Sequence, residues 1–403
     1  MDALFRYAVG ASLLKLIHLY NTFAQQHDMT LEQVVSYVGH HAIRLQRRIN
    51  ARWIECRICC RRCVMAKGEY GFCHVVCNTG DTLISTNYGL ITGIGTTNTD
   101  FDFLHFKPNA TALYVAGLGC NFHCDACLNA CITHVKTMNR NVLTALVKEQ
   151  LAPSAVVDKA KQEKASGIVF GGNEPTVCLD FVVDTAHLAK EAGLFVTFQT
   201  NGYLTPEAIE LLAPNIDAVV VGLKAFGDVG VYKWLLERRI NYEHILASVK
   251  AFHERGTHVE VTALVLKSDN VETLAEQTSR WLATNVSREI PLSIHRMERF
   301  YSAHWQESYE LPADDVNKIA QVCRDAGLVN VYSREEAQQV PTYCPSCGKV
   351  VVQRTARDKA LSCNADGVVS YSQHEFDIHC VGLNVVEGRG YCASCSNTIY
   401  GAW

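Results

Sequence analysis

Gly119-Cys120-Asn121-Phe122-His123-Cys124-Asp125-Ala126-Cys127-Leu128-Asn129 decides the reading of this chain: three cysteines at C-x3-C-x2-C spacing, on a loop after the apolar run 112–118. Three thiolates are one too few for a closed site, since structural zinc takes four ligands and a fully cysteine-ligated 4Fe-4S cluster also takes four. A cluster held by three cysteines leaves one iron open, and an amino acid can chelate that iron through its amine and carboxylate. Gly117 and Gly119 let the backbone approach such a cluster closely.

Downstream, apolar β-rich runs alternate with helical patterns. Strands are predicted at 113–117, 167–171, 194–199, 218–224, 258–267 and 291–297, and helices at 154–165, 181–192, 206–212, 242–255, 271–283 and 313–326. Strict alternation implies an α/β fold with a parallel sheet and right-handed connections, six repeats curling into an open, partial (β/α)6 barrel. Gly171-Gly172-Asn173-Glu174-Pro175, Gln199-Thr200-Asn201-Gly202-Tyr203, Lys224 and the pair His295-Arg296 all fall at the carboxyl ends of these strands. That is where α/β barrels carry their chemistry.

The order of these motifs resembles the radical-SAM superfamily. More narrowly, the chain from about residue 56 to 403 is similar to activases of the pyruvate formate-lyase activating enzyme type and their AmmeMemoRadiSam relatives. The resemblance implies that Cys120, Cys124 and Cys127 are the catalytic ligands of a 4Fe-4S cluster whose open iron binds S-adenosylmethionine (SAM). Reductive cleavage of SAM to a 5'-deoxyadenosyl radical is then chemistry that the protein positions and shields. It implies cofactor contacts from Gly171, Gly172, Asn173 and Glu174, with Glu174 accepting from the SAM ammonium. Thr200 and Asn201 reach the ribose or the methionine carboxylate, which Lys224 pairs with its charge. His295 is either a mouth residue or a satisfied core histidine.

Two departures from the family pattern stand out. The residue before the third cysteine, usually aromatic and near the adenine, is Ala126 here, with Phe122 a candidate replacement. Gln199 and Gly222 replace two aspartates that hold a monovalent cation in the activases, so that cation site is expected to be missing.

Two further cysteine groups flank the barrel. Cys56, Cys59, Cys60, Cys63, Cys73 and Cys77 crowd into a metal knuckle upstream. The AmmeMemoRadiSam resemblance singles out Cys56, Cys59, Cys63 and Cys73 as ligands, leaving Cys60 and Cys77 spare. Downstream, Cys344-x2-Cys347 and Cys392-x2-Cys395 make one tetrahedral sulfur site for zinc or a single iron. Cys178, Cys323, Cys363 and Cys380 read as ordinary buried thiols, and Cys131 as either structural or a hydrogen donor.

At 403 residues with 48% hydrophobic content, the chain can bury a large core. Its 37 Lys+Arg against 41 Asp+Glu, net charge −4, gives no reason to expect nucleic acid. Eighteen cysteines grouped as C-x2-C in a long chain point to a reducing, anaerobic cytoplasm rather than to disulfides. No membrane association is expected, because the apolar run 8–20 contains Lys15 and His18 and is too short to span a bilayer. Helical spacing over 3–25 and a capping box at Thr30-Leu31-Glu32-Gln33 predict a helical hairpin reaching residue 50, with Arg44-Leu45-Gln46-Arg47-Arg48 on a solvated helix face. That hairpin packs on the barrel or a second subunit, or contacts substrate.

The expected divisions are 1–50 helical extension, 51–110 cysteine-rich module, 111–335 radical-SAM partial barrel and 336–403 four-cysteine metal module. The family reading implies hydrogen abstraction from a protein or peptide, with electrons from a ferredoxin- or flavodoxin-type donor. Its favoured outcome is radical C-methylation of a peptide residue, as in the methyltransferases that modify methyl-coenzyme M reductase, with cobalamin as methyl donor. Cobalamin is expected between the barrel and residues 343–403, where Tyr371, Tyr391, Tyr400 and Trp403 offer flat contacts. The alternatives are activation of a glycyl-radical enzyme and, outside catalysis, an iron-sulfur or zinc scaffold.

Overall fold

The computed structural model describes residues 41–99, 103–135, 149–236, 240–297, 306–333, 340–356, 361–363, 369–371 and 376–403. Its centre is an open eight-stranded sheet whose strands lie side by side in chain order: β1 (Gly93–Asn98), β2 (Thr111–Ala116), β3 (Gly167–Gly171), β4 (Phe195–Thr200), β5 (Ala218–Lys224), β6 (His258–Val265), β7 (Leu292–Arg296) and β8 (Val331–Ser333). β1 runs antiparallel to β2, and every later pair is parallel. The six expected parallel strands are all present. β1 and β8 extend the sheet at its two edges: two glycines and polar threonines hide β1 from a pattern search, and β8 has three residues.

Among the described residues, the helices of seven or more residues are α1 (Pro153–Gln162), α2 (Leu179–Glu191), α3 (Pro206–Leu212), α4 (Val229–Leu235), α5 (Tyr242–Glu254), α6 (Val271–Asn285) and α7 (Ala313–Asp325). Their starts follow from local chemistry. Thr205 caps α3 by accepting from the Ala208 N–H, with Pro206 at the first helical position, and Asn241 caps α5 through the Glu243 N–H. Strands covered on both faces become continuous apolar runs, as in Ala218-Val219-Val220-Val221, all buried. Burying each such valine contributes roughly 1.5–3 kcal/mol. This rigid sheet fixes the strand ends from which the site is built.

Residues 41–50 are not helical. His41–Ala42 pairs with Leu83–Ser85, and Gln46–Arg48 pairs with Trp53–Cys56, so this stretch belongs with the cysteine-rich module. The cause is Asn50, whose Oδ1 accepts the N–H groups of Arg52 and Trp53 at 2.9 and 3.0 Å and closes a tight turn. Arg44 does not lie on a solvated helix face; it is hydrogen-bonded to Asp180 and Asp184 at the start of α2. The expected helix over 3–25 and the beginning of the second lie outside the described residues.

The two cysteine modules sit at opposite ends of the sheet. The upstream module packs on the carboxyl ends: the Cys60 N–H donates to Tyr203 O, and Cys59 bridges to Leu204, just past β4. The downstream module docks on the amino ends. Tyr400 Oη donates to the carbonyl of Val259 near the start of β6, and His105, ahead of β2, bonds Tyr400 O at 2.6 Å and Tyr332 Oη at 2.7 Å. A cavity of about 700 Å³ at this floor is lined by Lys107, Ser166, Phe195, Asp217 and Trp403. The expected cobalamin surface therefore faces away from the strand ends that carry the three cysteines. Two of the four aromatics placed there in sequence are taken up by docking: Tyr400 packs on His258, and Trp403 on His105.

Candidate active site

Cys120, Cys124 and Cys127 follow β2 directly, on a loop held by its neighbours. Asn173, in the loop after β3, clasps its base: Oδ1 accepts the Gly117 N–H at 3.0 Å and Nδ2 donates to Gly119 O at 3.1 Å. Asn129 fastens the far side by donating to Gly172 O at 2.6 Å. Gly119 has φ +91°, and a side chain there would meet Val75 at 2.9 Å. A side chain at Gly171 would strike Gln199 Oε1 at 2.0 Å. Gly119 is required by close approach and by backbone conformation, Gly171 by close approach alone.

Glu174 ties the two following strand ends together. It is 2% exposed, and its Oε1 accepts from the Thr176 N–H, Thr176 Oγ1 and Thr200 Oγ1, while Oε2 accepts the Asn201 N–H at 2.7 Å. Burial pushes its pKa up, and the Asn201 N–H and the threonine hydroxyls oppose that. Each carboxylate oxygen offers about two acceptor positions, so Oε2, with its single hydrogen bond, has room for one more donor. Asn201 reaches on to the cluster loop: Nδ2 donates to Asn121 Oδ1 at 2.6 Å and lies 3.9 Å from Cys120 Sγ.

The electrostatics are those of a desolvated thiol site with cations at its edge. Burial pushes the Cys124 thiol up to about 12, and Lys224 and Arg61 act against the shift. Cys120 is raised by burial and by the nearby Glu174 charge, and its sulfur accepts the Phe122 N–H at 3.3 Å. Lys224, opposite Leu264 on β6, which is in turn opposite His295 on β7, begins a row of side chains across three strand ends. Lys224 Nζ lies 3.4 Å from where a Gly222 side chain would begin, and Gln199 Oε1 accepts from Tyr114 Oη at 3.3 Å.

These residues fit a three-cysteine cluster with a chelating amino acid on it. Among the described residues, only Cys344, Cys347, Cys392 and Cys395 bring all their ligand atoms within 4.8 Å of one another, so the three cysteines of the loop are spread too widely for a single ion. Lys224 supplies a cation beside Cys124 for an amino-acid carboxylate. Phe122 is not the missing adenine contact, being 1% exposed and packed beneath Tyr203 and Arg61. Cys131 is exposed in the short helix Ala130–Thr133.

The flanking thiols divide cleanly. In the downstream module the Sγ pairs Cys344–Cys395 and Cys347–Cys392 are 3.5 and 3.6 Å apart, close to the roughly 3.8 Å edge of a tetrahedron built on Zn–S bonds of about 2.3 Å. The Ser394 N–H, 3.4 Å from Cys392 Sγ, helps hold that thiol down at about 6. Upstream, burial raises the thiols of Cys56, Cys59 and Cys73, while Cys60 donates to Leu204 O at 2.8 Å and Cys77 is fully buried. Cys178 and Cys323 are buried, and Cys363 lies in the strand Leu361–Cys363. Cys380 is exposed, correcting its expected burial, because it follows the last residue of Phe376–His379 at the surface.

Sequence reasoning missed Asn121, Asn129 and the clasping role of Asn173. A side-chain amide carries both donors and an acceptor, so three asparagines around a glycine-rich loop were the available signal. No helix among the described residues is long and apolar enough to cross a membrane.

Residues 114–277 match the radical SAM superfamily model. An uncharacterized protein of Methanocaldococcus jannaschii is 28% identical over 308 residues, 75% of this chain and 87% of that one. A second protein of that organism, named for glycyl-radical enzyme activation, is 32% identical over 158 residues, 39% of this chain; the match spans 58% of its length. Among solved structures, a radical SAM methyltransferase from Sphaerobacter thermophilus aligns with TM-score 0.41 and 14% identity, covering 78% of this chain and 83% of that one. With its three cysteines on the loop after β2 and Glu174, Thr200 and Asn201 gathered beside them, the stretch 114–277 of this chain carries a radical SAM domain.

Proposed function

We propose that this enzyme abstracts hydrogen from a protein or peptide, using a 4Fe-4S cluster on Cys120, Cys124 and Cys127. The observation that carries the reading is the rim of the site. Leu128 on the cluster loop is 39% exposed and Val229 at the start of α4 is 79% exposed, so large apolar side chains face solvent at the catalytic end. Such a rim suits a macromolecular substrate better than an enclosed metabolite. The cluster with SAM supplies a one-electron cleavage that yields a hydrogen-abstracting radical. Around it, Asn173 and Asn129 hold the loop, Glu174 fixes Asn201 and Thr200, and Lys224 would meet the SAM carboxylate.

Within this class, radical C-methylation of a peptide residue is the favoured outcome. A cobalamin donor would enter at the catalytic mouth, since the downstream module occupies the other end of the sheet. Glycyl-radical activation is the second reading, favoured by the name of the 32% identical relative. The test is anaerobic turnover with SAM, a flavodoxin- or ferredoxin-type donor and candidate peptides, with and without methylcobalamin. A gain of one methylene mass on a peptide carbon supports methylation, whereas a stable backbone radical on a partner protein assigns the enzyme to activation. Formation of no 5'-deoxyadenosine would sink both.

A further inference from the structure

The three residues between the first and second cysteines of the catalytic loop are gathered round one arginine of the upstream module. Arg61 donates from Nε to the carbonyl of Asn121. Its guanidinium carbon lies 3.5 Å from the centre of the Phe72 ring and 5.9 Å from that of Phe122. His123 completes the set, its ring centre 4.8 Å from that of Phe72. Arg61 thus touches Asn121 and Phe122 directly, and His123 through the ring on which it rests. Because Asn121 Oδ1 accepts from Asn201 Nδ2 at 2.6 Å, Arg61 also anchors the far end of the chain of contacts that begins at Glu174.

This span is dry: Asn121 is fully buried, and Phe122 and His123 are 1% and 5% exposed. A charge beside it is screened far less than one in water. Arginine suits such a place better than lysine, because its guanidinium always keeps its charge, is more weakly hydrated than an ammonium, and stacks on an aromatic face while its edge donates. Asn121 O and the two ring faces are neutral, so these contacts seat the cation without cancelling its charge. Its influence reaches a cluster thiol, since Arg61 works against the effect of burial at Cys124. Lys224 does the same, but it stands where an amino-acid carboxylate would take up its charge, whereas Arg61 is tied to the loop itself.

We propose that Arg61 is a positioning residue of the catalytic cluster, whose fixed positive charge against residues 121–123 makes the one-electron reduction of that cluster easier. The proposal rests on the radical SAM reading above. One electron passes from the low-potential protein donor to the cluster; the donor is oxidised by one electron, and no proton moves and no bond breaks in this step. The cluster becomes more negative by one unit, which a neighbouring cation stabilises, so the reduction potential is higher with Arg61 than without it. The upstream module then belongs to the catalytic site through this side chain, whatever metal it holds.

The test is a redox titration of the full-length chain, reconstituted anaerobically with ferrous iron and sulfide and followed by the EPR signal that added SAM alters. Arg61→Gln removes the charge and leaves a hydrogen-bond donor; Arg61→Lys keeps the charge and loses the flat stack. At the wild-type midpoint, Arg61→Gln should show at least a tenfold lower ratio of reduced to oxidised cluster, which is a midpoint lower by about 59 mV for one electron. Arg61→Lys should recover at least half of that shift. A wild-type midpoint in Arg61→Gln overturns the proposal, even if iron content or melting temperature falls, and so does an equal lowering in both variants. Should Arg61→Gln fail to hold its cluster, Phe72→Leu keeps the charge but removes its seat: a lower midpoint supports the proposal and an unchanged one overturns it. Failure of the radical SAM reading looks different, because wild type itself would then show no SAM-responsive signal.

Discussion

Glu174 Oε2 and the backbone N–H of Asn201 are 2.7 Å apart, joining the loop after β3 to the loop after β4 through one buried carboxylate. Because Asn201 also holds Asn121 beside Cys120, strain at Glu174 is transmitted to the cluster loop.

Glu174→Gln keeps the shape but turns an acceptor oxygen into a donor facing other donors. Losing a hydrogen bond to a charged group costs about 1.5–3 kcal/mol. We expect a lower melting temperature and at least a tenfold loss of SAM cleavage, with iron content retained. Wild-type cleavage in this variant would show that the carboxylate is merely structural.

Asn173→Ala removes the clasp on Gly117 and Gly119 without touching a cysteine. The expected outcome is lower iron occupancy after reconstitution and faster cluster loss in air, measured by the decay of the iron-sulfur absorbance. Full, stable occupancy would argue against the clasp.

The triple cysteine variant Cys120→Ala/Cys124→Ala/Cys127→Ala should lose all SAM cleavage while keeping metal in both flanking modules. Dithionite-dependent 5'-deoxyadenosine from that variant would refute the assignment of the catalytic cluster.

Cys392→Ala opens the downstream sulfur site, whose docking surface lies on the amino ends of the strands. Soluble yield and thermal stability should fall before the chemistry of residual folded enzyme changes. A stable but inactive protein would assign this site a catalytic role.

Acid should loosen the same docking surface. Burial, with the Arg354 charge against the proton and Glu260 and the Tyr400 carbonyl for it, holds His105 down at about 4. Neutral His105 therefore contributes stability in full above pH 6.5 and loses it as pH falls from 6.5 towards 4. Burial tends to raise Glu260, but its bonds to His258 and the Leu104 N–H keep it below the usual range, so its contribution also disappears on acidification. The melting temperature should decline over that window, less steeply in His105→Gln. Equal slopes would exclude His105 as the cause.

Much of the barrel was legible because its strands are apolar on both faces and its helices open with Pro, Thr or Asn signals; β3, β5 and α3 fall on the predicted residues. The cysteine sets were legible from spacing. What escaped was nonlocal: Tyr400 and His105 are 295 residues apart in sequence, and nothing in either stretch says which end of the sheet the downstream module covers. The stretch from His41 to Asn50 misled because its charge pattern suits a helix, while a single asparagine turn makes it a hairpin. Asn121 escaped for a simpler reason, that its meaning depends on what lies on both sides of it.

The chain-order arrangement of the sheet also bears on how the molecule is made. From β2 to β8, each strand can add to the one synthesised just before it, so the barrel can grow as the polypeptide leaves the ribosome. The floor cannot close on that schedule. His105 emerges early and waits for Tyr400, so an interrupted translation product would display an open underside with Glu260 and His258 lacking the tyrosine that covers them. The floor closes only after a stretch 295 residues downstream of His105 has been made.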